Sequence, residues 1–172
     1  VKKLVEKFEG VQDAGFDANN IPIVIVPANK IKEVALYLRD EQKYDLLNSI
    51  TAAEDDNYYM SIYNLYAILD YSKRRITLKV NVPKDNPKIQ SILEVYPSAD
   101  WFEREAYDLM GIIYEGHPNL TRILTTDDWV GHTLRRDYKI IEPESYVHIL
   151  KAEPDEHVQK GLERSDIYKG LK

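Results

Sequence analysis

The chain has 172 residues, 44% hydrophobic and 30% charged, which suits one globular domain with an appended arm and no need of covalent staples. It contains no cysteine, so a disulfide framework, cysteine-ligated iron–sulfur clusters, thiolate zinc sites and a thiol nucleophile are excluded. A net charge of −6 without a long basic run argues against a nucleic-acid-binding face. The longest apolar stretch, residues 21–26, is interrupted by Pro22 and far too short to cross a bilayer. No secretory signal pattern opens the sequence, so any association with a membrane is expected to be indirect, through partner proteins.

Residues 2–9 read as a short helix, with Leu4, Val5 and Phe8 on one face and Gly10 placed to end it. Residues 22–26 are rich in β-branched side chains and read as a buried strand. Residues 29–39 read as an amphipathic helix: Ile31, Val34, Ala35 and Leu38 follow the i, i+3, i+4, i+7 spacing, and Asn29 is placed to cap it. Three strands follow, over residues 44–52, 58–71 and 76–82. The last alternates Ile76, Leu78, Val80 and Val82 against Thr77, Lys79 and Asn81, and residues 72–75 are expected to close a hairpin. Pro87 suits the first turn of a helix reaching about Val95. The order α-β-α-β-β-β-α predicts an α+β fold, a two-layer sandwich of a mostly antiparallel sheet with helices on one face. The thirteen tyrosines, with apolar rings and polar tips, suit half-buried sheets and interfaces.

The reading divides the chain into an α+β domain over residues 1–97, a loop-rich segment over 98–141 and a charged arm over 142–172 with Pro143 and Pro154. In the middle segment, Asp100 is expected to cap a helix running to about Met110, with Glu103 at the reciprocal position of a capping box. Gly111 permits a left-handed end. Arg104 and Asp108, four apart, can pair along one face, with Glu105 on a neighbouring stripe. Gly116, His117 and Pro118 read as a turn, and the apolar cluster Leu120, Ile123 and Leu124 surrounds Arg122. Leu134, Arg135, Arg136 and Asp137 end the segment. Anchors of alternating sign on loops suit docking, because arginine forks fix orientation on carboxylates.

The stretch from Phe102 to Ile140 resembles the signature of the thirty-kilodalton subunit family of NADH dehydrogenase, or complex I. Glu103, Arg104, Glu105, Asp108, Leu109, Met110 and His117 match its first half. Arg122, Ile123 and Leu124 match the element that follows, and Leu134, Arg135, Arg136 and Asp137 match its basic end, except that Thr133 stands where the family usually has proline. Thr121 also replaces a residue that is usually basic. The resemblance implies a non-catalytic subunit of the peripheral electron-transfer arm of a membrane-bound oxidoreductase, on the cytoplasmic face of the membrane. It implies no cofactor in this chain, with iron–sulfur clusters and a [NiFe] site in partner subunits. The implied partners are a hydrogenase-like large subunit, iron–sulfur subunits and membrane subunits. Absence of cysteine and the compact length look most like the archaeal membrane-bound, ferredoxin-dependent energy-converting hydrogenase version. The equivalents in complex I and in sulfur-reducing complexes are the alternatives.

Other chemistries compete for the same residues. His117 and His132 with Asp127 or Asp128 could ligate a metal, as in a free-standing small metal-dependent enzyme, but the two-histidine helical spacing of a zincin is missing. Glu103, Glu105 and Asp108 could form an acid–base set, although helix caps and Arg104 account for their charges. Glu144 and His148 read as a solvated helix pair. Arg135, Arg136 and Asp137 could meet an anionic lipid or phosphate, with partner docking the preferred reading.

Overall fold

A five-stranded sheet forms the frame, its strands in the order β1 (Gln12–Phe16), β2 (Pro22–Ile25), β5 (Arg74–Pro83), β4 (Tyr58–Ala67) and β3 (Leu46–Glu54). The structure, a computed structural model, describes residues 1–69 and 73–139. The expected arm over residues 142–172, with Glu144 and His148, lies outside the described residues, as does the start of the hairpin turn expected at 72–75.

After the short helix α1 (Lys2–Lys7), β1 (Gln12–Phe16) and β2 (Pro22–Ile25) pair antiparallel. β1 was not expected, because its side chains are mostly exposed and show no apolar alternation. The turn defines it: Asp17 Oδ1 accepts the N–H groups of Asn19 and Ile21, both at 2.8 Å, an Asx-type turn that brings the strands together. β2 pairs parallel with β5 (Arg74–Pro83), reached through α2 (Ile31–Asp40), β3 (Leu46–Glu54) and β4 (Tyr58–Ala67). β3–β4 and β4–β5 are antiparallel, so the sheet is mostly antiparallel and the fold is α+β, as expected.

The helix α2 buries Ile31, Val34, Ala35 and Leu38, the stripe its periodicity predicts, but Lys30 occupies the cap position in place of Asn29 and no side chain caps it. β4 alternates strictly, burying Tyr59, Ser61, Tyr63, Leu65 and Ala67 on one face and leaving Tyr58, Met60, Ile62, Asn64 and Tyr66 half-buried on the other. It ends earlier than the sequence pattern predicts. Asp45 takes the N–H groups of Ile68 and Leu69 at 2.7 and 3.1 Å, which diverts the chain from the ladder.

The helix expected to start at Pro87 does not form. Instead β6 (Lys88–Gln90) pairs parallel with β7 (Ile113–Glu115), two short strands that the sequence pattern does not reveal. Pro87 O accepts Ile113 N–H and Glu115 O accepts Ser91 N–H, so the backbone is used across strands and not along a helix. Beyond it comes only a single turn, with Ile92 O accepting Val95 and Tyr96 N–H. The third helix, α3 (Ala99–Met110), then packs on β3. Residues Val1–Tyr138 form one compact unit, so α3 and the loop after it belong to the same body as the sheet.

Candidate docking site

α3 positions the signature residues, and its two buried carboxylates organise what surrounds it. Ala99, Glu103, Ala106 and Met110 share the buried stripe at helical spacing. Glu103 is fully buried and does not form the expected capping box. Its carboxylate accepts the Ser91 hydroxyl at 2.6 Å and Ile92 N–H at 2.8 Å, which ties α3 to the end of β6. The cap position falls at Ser98, without a side-chain bond. No cation pairs with Glu103 among the described residues, and burial pushes its carboxyl up to about 7, against the pull of the Ser91 and Ile92 hydrogen bonds.

Asp108 does not pair with Arg104. It is fully buried and reaches the loop that follows β7: Oδ2 accepts N–H from Ile123 (3.0 Å), Leu124 (2.7 Å) and Thr125 (2.9 Å). Oδ1 accepts the Thr125 hydroxyl and Arg122 Nη1, the latter at 3.1 Å. Burial opposes the charge, but these donors outweigh it and hold the carboxyl at about 2, a firmly ionised anchor. Arg122 is nearly buried as well. It bonds Thr125 Oγ1 at 2.9 Å and Gly131 O at 3.1 Å, closing residues 122–131 into a braced loop.

The C-terminus of α3 exposes carbonyls that need donors, and the basic end of the signature supplies them. Asp108 O accepts His132 Nδ1–H at 2.8 Å, Leu109 O accepts Leu134 N–H at 3.0 Å, and Met110 O accepts Arg135 Nε–H at 2.9 Å. Desolvation lowers the His132 pKa and so favours the neutral ring, and the bond to the Asp108 carbonyl places its proton on Nδ1. Gly111 closes the helix at φ 74, and the Arg135 and His132 side chains occupy the space a Cβ would fill. Arg135 also lies over the Tyr59 ring, 4.8 Å from its centroid.

Arg135 is therefore engaged within the chain, whereas Arg136, with a side chain 62% exposed, makes its bonds at the surface. Arg136 donates from Nη1 to Asp56 at 2.7 Å and from Nη2 to Glu54 O at 3.0 Å, while its own N–H meets Glu54 Oε2 at 2.7 Å. Arg104 binds Thr121 through O and Oγ1 at 3.2 and 2.9 Å, and its guanidinium lies 5.1 Å from the Trp101 ring centroid. The His117 ring is enclosed. Nδ1 accepts Asn119 N–H at 3.1 Å, which leaves the proton on Nε2, 3.1 Å from Asp100 Oδ1 though poorly aligned with it. The two histidines thus serve separate turns, and no group of three His, Asp or Glu side chains among the described residues is arranged to hold a metal.

Glu105, Leu134 and Asp137 remain exposed. Sequence spacing does not identify Ser91, Thr125 and Gly131 as partners. Only one signal points there: Glu103 falls on the apolar stripe of α3, where a carboxylate needs a donor from another element.

The family model for the "Respiratory-chain NADH dehydrogenase, 30 Kd subunit" matches residues 24–144. The C subunit of NADH-quinone oxidoreductase from Geotalea uraniireducens is 43% identical over 124 residues, covering 70% of this chain and 74% of its own. Its counterpart from Citrifermentans bemidjiense is 40% identical over 147 residues, covering 84% and 90%. Among solved structures, a trypsin-resistant fragment of Nqo5 superposes with a TM-score of 0.55 at 25% identity, covering 64% of this chain and 88% of that one. A chain of an archaeal membrane-bound sulfane sulfur reductase shares the fold, with a TM-score of 0.69 at 20% identity over 90% and 94% of the two chains. The fold and signature define an accessory subunit, not a free-standing enzyme. The chain belongs to the respiratory-chain NADH dehydrogenase 30 kDa subunit family, a component of complex I-type oxidoreductases.

Proposed function

We propose that the chain is a non-catalytic scaffold in the peripheral electron-transfer arm of a membrane-bound complex I-type oxidoreductase, docked on the hydrogenase-like large subunit. The observation that carries this is the family match over residues 24–144 on a signature whose charged side chains brace a helix end and its loops. Asp108 and Arg122 are consumed by internal bonds, which suits a rigid shape for assembly better than turnover. Iron–sulfur clusters and, in the ferredoxin-dependent hydrogenase version, a [NiFe] site belong to partner subunits. No helix among the described residues is long and apolar enough to cross a membrane, which accords with attachment at the cytoplasmic face through membrane subunits.

Two versions compete. Absence of cysteine favours the energy-converting hydrogenase, and the names of the relatives favour the NADH-quinone enzyme. Purifying the native assembly through an affinity tag on this chain tests both the scaffold and the version. The scaffold reading expects a hydrogenase-like large subunit, iron–sulfur subunits and membrane subunits to co-purify. Hydrogen evolution from reduced ferredoxin identifies the hydrogenase; NADH-dependent quinone reduction or sulfur reduction identifies an alternative. Recovery of the chain alone, in mild detergent, would sink the scaffold.

A further inference from the structure

β3 lies at the end of the sheet, paired on one side only. Beyond its ladder with β4, the backbone of residues 48–53 takes no hydrogen bond from another group among the described residues. An irregularity between Leu47 and Ser49 twists the start of the strand, but the following run, Ser49, Ile50, Thr51, Ala52 and Ala53, contains no charge and no proline. Those are the devices that ordinarily keep an edge from recruiting another strand. Beside the edge, β3 and α3 leave a groove of ≈ 170 Å³, lined by Ile50, Ala52, Ala106, Leu109, Met110 and Leu134. An unpaired edge beside an apolar groove is the arrangement by which a sheet captures an extended segment: main-chain bonds hold it and a pocket selects alternate side chains.

Charge selects the occupant. Glu105 lines the groove, is exposed, and forms no ion pair among the described residues. Asp56, near the far end of the strand, is paired with Arg136, so Glu105 is the carboxylate at the groove left to meet a cation, in a chain that carries −6 as a whole. A second copy paired β3 to β3 about a twofold axis would set both α3 helices on one face, with Glu105 facing Glu105 across the seam. A segment bearing lysine or arginine meets the same carboxylate favourably.

We propose that the outer edge of β3 accepts an extended strand from a partner subunit, with an apolar side chain entering the groove between β3 and α3 and a neighbouring basic side chain meeting Glu105. This rests on the reading of the chain as a docked subunit. The test compares amide hydrogen exchange in the full chain alone and in the complex purified through its tag. It adds a photo-cross-linker attached at Thr51→Cys, which is unique because the chain has no cysteine. The proposal expects the amides of residues 48–53 that face away from β4 to exchange at least about tenfold more slowly in the complex. It also expects the cross-linked peptide to come from another subunit and to carry an apolar residue next to Lys or Arg. Glu105→Arg should weaken association about tenfold while the melting temperature of the chain alone stays unchanged. Unaltered exchange in an intact complex, a cross-link to a second copy of this chain, or Glu105→Arg associating normally overturns the edge proposal and leaves the scaffold reading standing. A tagged chain that recovers no other subunit overturns both.

Discussion

Replacing Asp108 by asparagine keeps the side-chain volume but removes the charge that five donors share. The asparagine oxygen can accept from only part of this set, and its NH₂ group turns a donor toward donors. Arg122, with a side chain only 15% exposed, then faces no carboxylate. Breaking one side of a buried ion pair costs about 3–5 kcal/mol, and the surviving amide oxygen recovers part of that, so Asp108→Asn should lose about 2–4 kcal/mol. Linkage gives an independent figure. The folded carboxyl sits at about 2 against 3.8 for an unperturbed aspartate, a difference equivalent to roughly 2 kcal/mol. Because the folded value is depressed, that stability is fully present above about pH 4 and is lost as pH falls toward 2. Urea unfolding of the wild type and of Asp108→Asn, at neutral pH and across the acid range, measures both quantities. The acid-dependent loss should be smaller in the variant by that amount. Arg122→Met should be costly in the wild type and much less so beside Asp108→Asn, with a coupling of about 1–3 kcal/mol. A loss below about 1 kcal/mol for Asp108→Asn, or strict additivity in the double variant, would refute the idea that Asp108 anchors the loop.

Glu103 behaves in the opposite sense: its carboxyl is raised from 4.5 to about 7, so its ionisation costs stability as pH rises through that interval. Glu103→Gln should remove this downward trend and stabilise the chain by about 1–3 kcal/mol above neutrality, read from melting temperatures between pH 5 and pH 8. Gly111→Ala forces a left-handed residue and drives a methyl group into Arg135 and His132, so it should cost about 2 kcal/mol or more in chemical denaturation. Arg135→Ala loses a helix-end hydrogen bond and the Tyr59 contact, and should cost the isolated chain about 1–2 kcal/mol. Arg136→Ala, whose Asp56 partner is 86% exposed, should cost less than about 1 kcal/mol in the same assay.

Local patterns sufficed wherever one element's own periodicity decides its state. The stripe of α2, the presence of β4, the alternation of β5, and the left-handed end of α3 at Gly111 were all legible, because helical and strand spacing sort side chains before any long-range contact forms. The family was legible too, since the signature is a continuous stretch. Tertiary structure decided β1, β6 and β7, whose three to five residues carry no pattern of their own and become strands only where a partner backbone is supplied. It also decided the partners of the signature charges. Spacing along a helix suggested Arg104 for Asp108 and a cap for Glu103. A buried carboxylate is satisfied by the donors nearest in space, and these came from Arg122–Thr125 and Ser91–Ile92. Which arginines are engaged and which edge remains open depends on how α3, its loop and β3 meet, and that meeting joins residues far apart in the chain, so no local spacing reveals it.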